Sequence, residues 1–162
     1  MEVGLTPGQL TWHDDGLIHC AAGVTAYWAT RESHANFRLT FETRWPGMPG
    51  NSGTLVYMRG DTRPFPECLE VQGLDTDMTH IFPIAGAKEV PRTDDGDARA
   101  RAHKNAPEWN AIAIESRDGV VRSWLNGVPI GVAGPGELRE GPIGFQCEGA
   151  EIEWRNVVLE EL

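Results

Sequence analysis

The chain has 162 residues, with 24 Asp and Glu against 14 Lys and Arg, so its formal net charge is −10. A negative surplus of that size repels phosphate backbones and anionic lipid heads, which argues against nucleic-acid and membrane-surface partners. Its 19 glycines and 11 prolines approach the content of disordered chains, but 40% hydrophobic residues and six tryptophans demand a packed core, so the glycines are expected at turns of one domain over 1–162.

Period two runs through almost the whole chain. Asp15-Gly16 gives the first turn signal. From Asn36 to Trp45, Phe37, Leu39, Phe41 and Trp45 alternate with Arg38, Thr40, Glu42 and Arg44, the pattern of a half-buried strand. Gly50-Asn51-Ser52-Gly53 leads into a strand from Thr54 to Arg59, and another strand runs from Cys68 to Gln72. Residues 73–108 carry many charges without sustained alternation, which predicts a long loop of the kind used as lids or binding elements. Within it, Asp97 to Lys104 suits one or two helical turns. Asp118-Gly119 and Asn126-Gly127 then divide Trp109–Arg117, Val120–Leu125 and Val128–Val132 into a meander with two tight hairpins. Strands follow at Ile143–Cys147 and Glu151–Leu162, and the last changes phase near Arg155 and Asn156, as a bulge requires. Many short strands with regular turns predict an all-β, antiparallel two-sheet sandwich.

Other signals set boundaries. Cys20, Cys68 and Cys147 are odd in number and far apart, which favours packing as small apolar side chains over a disulfide framework. No run of about 18 apolar residues occurs, and the Met1–Leu5 start resembles no secretory leader. The chain as it stands reads as cytoplasmic, or as periplasmic or secreted if a leader was removed. Trp12, Trp45, Trp124 and Trp154 are expected in the core, with Trp28 and Trp109 open. No serine-hydrolase elbow, phosphate loop or zinc motif appears. No cofactor is expected, although Asp94-Asp95-Gly96-Asp97 leaves calcium possible beside the simpler reading of a solvated turn.

The candidate chemistry lies in Glu67-Cys-Leu-Glu-Val-Gln-Gly-Leu-Asp75. If Leu69 and Val71 face the core, Glu70 and Gln72 share the open face with Asp75 just beyond, a mixture of acceptors and donors that suits sugar hydroxyls. The alternative is a solvated outer face. Arg59 closes the preceding strand, either in a structural ion pair or as part of a polar pocket.

Six blocks in order resemble the 3-keto-disaccharide hydrolase family. They are Gly50-Asn51-Ser52-Gly53 with Arg59, Leu69-Glu70-Val71-Gln72 with Leu74-Asp75, Pro107-Glu108-Trp109-Asn110, Trp124-Leu125-Asn126-Gly127, Gly141-Pro142-Ile143-Gly144-Phe145-Gln146, and Glu153-Trp154-Arg155-Asn156-Val157. The resemblance implies a concanavalin A-like jelly roll and a hydrolase acting on glycosides that carry a 3-keto sugar, by proton abstraction at C2, elimination and hydration. It implies Glu70 as base or acid, Arg59 beside the enolate or Glu70, and Asp75 with Gln72 on the sugar hydroxyls. Asn51 and Ser52 would serve the feeding turn, while His80 or Lys104 would supply a second proton and Trp109 a contact. A carbohydrate-binding module of the same fold, with a sugar as its partner, is the alternative. The sequence departs from the family pattern at Cys68-Leu69, at His80-Ile-Phe-Pro and in its short opening, and nothing in it fixes an oligomeric state.

Overall fold

The computed structural model describes residues 1–60 and 65–162. Its strands are β1 (Glu2–Val3), β2 (Leu10–Trp12), β3 (Ile18–Cys20), β4 (Thr25–Ala29), β5 (Phe37–Arg44), β6 (Gly53–Arg59) and β7 (Glu67–Gln72). After a 3-10 turn at Asp75–Asp77 come β8 (Ile81–Ile84), β9 (Arg92–Asp94), helix α1 (Gly96–Ala102), β10 (Asn110–Arg117), β11 (Val120–Leu125), β12 (Val128–Ala133), β13 (Gly144–Glu148) and β14 (Ile152–Glu161). A six-stranded sheet has the order β1-β4-β13-β6-β7-β8, and an eight-stranded sheet has the order β2-β3-β14-β5-β10-β11-β12-β9. All pairings are antiparallel, so the fold is the expected two-sheet jelly-roll sandwich.

Alternation decides which face each strand buries. In β5, Phe37, Leu39 and Phe41 enter the core while the residues between them stay half-buried. Each such side chain contributes on the order of 1.5–3 kcal/mol. Opposite them, Val56, Leu69, Val71 and Phe145 of the six-stranded sheet close the core. Both tight hairpins form as expected, with Asp118 and Asn126 at φ 52 and 49 ahead of glycines at 79 and 83. The β14 bulge is also present, as a register shift between Arg155 and Val158 with Asn156 at φ 53.

Four expectations need correction. Cys20 in β3 and Cys147 in β13 form a disulfide that ties the two sheets together, with Cα atoms 6.3 Å apart and only Cys68 left free. Sequence separation hid this pair, because the sandwich brings distant strands face to face. Residues 73–108 are largely ordered: β8 extends one sheet, β9 extends the other, and α1 packs on β12. Edge strands of three or four residues are too short to show a period. Trp12 is 55% exposed, because its three-residue strand lies at the border of the eight-stranded sheet. Trp124 lies outside the core as well. In β11 the buried phase belongs to Val121, Ser123 and Leu125, and Trp124 sits under the Arg38 guanidinium, 5.7 Å from the ring centroid.

Candidate functional site

The site is built on the outer face of the six-stranded sheet. Leu69 and Val71 point into the core, so Cys68 and Glu70 take the opposite phase of β7. That outer face is itself apolar: Tyr27, Ala29, Leu55, Met58 and Cys68 form a second cluster there, joined by Val3 and Ile84. Glu70, only 5% exposed, is therefore an acid on a largely dry surface. Burial, with the Glu148 carboxylate adding to it, pushes its pKa from the ordinary 4.5 up to about 7. Burial also raises Glu148. The same dryness pushes up the Cys68 thiol and the Tyr27 phenol, so Cys68 stays an un-ionised packing residue rather than a nucleophile.

Gln146 completes the cluster. A Cβ built on Gly53 would lie 2.3 Å from Gln146 Oε1 and 2.5 Å from Glu70 Oε1, which places the two oxygens within about 5 Å of each other. Glycine at position 53 leaves the space over its Cα to those two side-chain ends. Gln146 is 1% exposed, and neither its Nε2 nor its Oε1 has a hydrogen-bond partner among the described residues. Beside it, Asn51 Nδ2 donates to Glu148 Oε2 at 2.7 Å, and Asn51 Oδ1 is buried without a partner among the described residues. Unpaired buried amide atoms cost about 1–3 kcal/mol each, a cost a bound polar ligand removes. The cluster thus offers two carboxyls of raised pKa for proton transfer and amide groups ready to bond a polar oxygen.

The expected site residues divide between several places. Glu70, Gln72, Asn51 and Ser52 surround this cluster. Ser52 is structural there, its Oγ donating to the Gln146 carbonyl at 2.8 Å. Gln72 caps the turn after β7, its Oε1 accepting from Gly73 and Leu74 at 2.8 Å. His80 pairs with Gln72 through the backbone and bonds Asp77 at 3.0 Å. Asp75 follows the strand and meets His103 Nε2 at 3.0 Å. Arg99, buried on α1, bonds Asp77, Asp94 and the Met78 carbonyl and holds this corner together. Asp94 is thereby engaged by Arg99, while Asp95 caps α1 through Ala98 N at 2.8 Å.

Arg59, Lys104 and Trp109 are not brought to Glu70. Register shifts between Val56 and Arg59, where Tyr57 adopts φ 61. Val56 and Tyr57 both turn inward, Met58 turns outward, and Arg59 flips to the phase of Glu67, to which it is ion-paired with Glu137 nearby at 3.8 Å. Simple alternation from Leu55 would have put Arg59 on the Glu70 face. Trp109 lies on the outside of the eight-stranded sheet, under Arg44 and Arg155 at 4.5 and 4.1 Å from its ring. Lys104 Nζ bonds the Trp109 carbonyl at 3.4 Å and its charge acts on Glu42.

Sequence reasoning missed Gln146 and Glu148. Their signal was present: in β13 they share one phase while Phe145 and Cys147 take the other, the same polar alternation as Glu70 and Gln72.

The family profile of the 3-keto-alpha-glucoside-1,2-lyase-like domain matches residues 4–160. No curated protein matches the chain by sequence. Among solved structures, a protein assigned as a glycosyl hydrolase from Parabacteroides distasonis ATCC 8503 superposes with a TM-score of 0.72 at 20% identity, covering 98% of this chain and 92% of that one. The carbohydrate-binding module CBM66 from Bacillus subtilis gives 0.66 at 13% identity, over 99% and 97%. The alginate lyase AlgAT5 of polysaccharide lyase family 7 gives 0.54 at 11% identity, over 95% and 82%. At such identities the structural likeness speaks for the fold.

Proposed function

Since the chain belongs to the family of 3-keto-alpha-glucoside-1,2-lyase-like domains, we propose that it cleaves glycosides whose C3 hydroxyl has been oxidised to a ketone, with Glu70 removing the C2 proton. The ketone acidifies C2–H. The Glu70 carboxylate takes that proton, and the C–H electron pair forms an enolate on the C3 oxygen. As the enolate collapses, C1=C2 forms, the bond from C1 to the glycosidic oxygen breaks, and the departing oxygen takes a proton from Glu148. Water then adds across C1=C2 to complete the hydrolysis. Asn51 orients Glu148, and the Gln146 amide donates to the enolate oxygen, the position from which Arg59 is absent. Gln72, Asp75 and His80 line the strand ends where sugar hydroxyls or the leaving group would be held.

One observation carries this reading: a carboxyl buried on an apolar sheet face, beside a second carboxyl and a buried amide with neither polar atom paired among the described residues. The test measures aglycone release from a 3-keto-α-glucoside. Glu70→Gln is expected to lower kcat on the order of 10³-fold while binding persists, within the usual range for a lost acid–base group. Wild-type turnover in that variant, or no release by the wild type, overturns the assignment. A sugar-binding module is the second reading. It is favoured by the absence of any arginine or lysine paired to Glu70 among the described residues, and it predicts sugar binding without product.

A further inference from the structure

We propose that the cleft between β1, β2 and β4 is a second carbohydrate-binding site, in which a pyranose ring stacks on Trp12. This cleft of about 450 Å³ is lined by Glu2, Trp12, Trp28 and Arg31 among others, a volume within the range of small-ligand sites. Trp12 leaves 55% of its surface to solvent and stands edge-to-face on Trp28, with ring centroids 5.0 Å apart at 74°. Trp28 is rigid behind it, stacked on Phe145 at 4.1 Å and 6°. Trp28 Nε1 is buried and has no hydrogen-bond partner among the described residues. An exposed indole supplies an apolar face for the C–H side of a sugar. Arg31 supplies donors for its hydroxyls, and Glu2 supplies an acceptor. A lipid tail would leave these polar groups unused.

The cleft is separate from the Glu70 cluster. Glu2 pairs with Trp28 in the β1–β4 register and Val3 with Tyr27. Val3 and Tyr27 belong to the apolar cluster on the Glu70 face, so Glu2 and Trp28 lie on the other side of the sheet. The site would keep the protein on a glycan chain while the Glu70 face handles a small substrate, and its existence does not depend on that chemistry.

The experiment titrates the whole chain with maltohexaose and with cellohexaose, following tryptophan fluorescence and calorimetry. Wild type should bind at least one hexaose with a Kd between about 0.1 and 5 mM, as expected of one stacking site. Trp12→Ala should weaken it at least tenfold, and Trp12→Phe less than fivefold. Turnover of a small 3-keto-α-glucoside by Trp12→Ala should match wild type. Equal binding by wild type and Trp12→Ala, or no binding of either hexaose by wild type, overturns the proposal. So does a wild-type dimer in sedimentation that Trp12→Ala dissolves, which would make a second copy the occupant. If wild type binds through Trp12 but releases no aglycone, the cleft stands and only the Glu70 reading fails.

Discussion

The two outer faces of the sandwich treat the same side chain in opposite ways. On the eight-stranded sheet, Glu42 receives Arg155 through Nε at 2.9 Å and a second nitrogen at 3.3 Å, with Asn156 at 2.7 Å. Glu153 receives Arg44 at 2.7 Å, and Glu115 receives Arg38 at 3.3 Å. The Arg155 hydrogen bond, more than any other cause, holds the Glu42 carboxyl below its ordinary range. On the six-stranded sheet, Glu70 and Glu148 sit among apolar side chains with no cation paired to either among the described residues, and both are raised. Placement, more than composition, therefore decides which of the 24 acids has chemistry available near neutral pH: a paired acid is held as a structural anion, whereas a dry one becomes a proton carrier.

The largest effect should appear in the pH dependence of stability. The folded pKa of Glu70, about 7, lies above its ordinary value of 4.5, so the folded state binds the proton more tightly than the unfolded chain. Stability then falls as pH rises from about 4.5 through 7, by an amount on the order of 3 kcal/mol. Glu70→Gln cannot ionise and loses this penalty. Its melting temperature relative to wild type should therefore climb across that window and level off above it. A difference that stays flat from pH 4 to 8 would mean that Glu70 is not the dry carboxyl described. The same ionisation should make wild-type turnover rise with pH through about 7, because the base must be charged, and fall again on the alkaline side as Glu148, the acid, loses its proton.

Gly53→Ala perturbs the same cluster without replacing either acid. The new methyl would sit 2.3 Å from Gln146 Oε1 and 2.5 Å from Glu70 Oε1, and only these side-chain ends need to move to admit it. The fold should survive with little change in melting temperature. Turnover of a 3-keto-α-glucoside should drop on the order of 100-fold, as a displacement of about 1 Å in a catalytic group produces. Wild-type turnover in this variant would remove Glu70 and Gln146 from the reaction.

Much of the contrast between the faces is legible in the sequence. The alternation of Leu69 and Val71 with Glu70 and Gln72 placed the acid on an outer face, and the hairpin and bulge signals at Asp118-Gly119, Asn126-Gly127 and Asn156 hold in the structure. Sequence period does not say what covers an outer face. That face became dry through Tyr27, Leu55 and Met58 from other strands, contacts that exist only after the sheet assembles. Arg59 misled because one irregular residue, Tyr57, reverses the phase of everything after it in β6. The Cys20–Cys147 pair and the edge strand β8 were hidden for a related reason, since both depend on partners far away in the chain.

The smallest effect tests the paired face. Glu42→Gln removes the charge that Arg155 and Asn156 bond, yet Glu42 and Arg155 keep 27% and 40% of their side-chain surface in solvent. Water screens such a pair, so the loss at pH 7 should be about 0.2–1 kcal/mol, smaller still in high salt. Its sign with pH opposes that of Glu70. A carboxyl held below 4.5 in the folded state stabilises once the unfolded group is ionised, and that contribution disappears as pH falls through the folded value. The deficit of Glu42→Gln should therefore shrink toward zero in acid, while the gain of Glu70→Gln shrinks there too, and turnover by Glu42→Gln should equal wild type. If Glu42→Gln cut turnover as deeply as Gly53→Ala, the division of labour between the two faces would be wrong, because an ion pair on the far sheet would then be part of the chemistry.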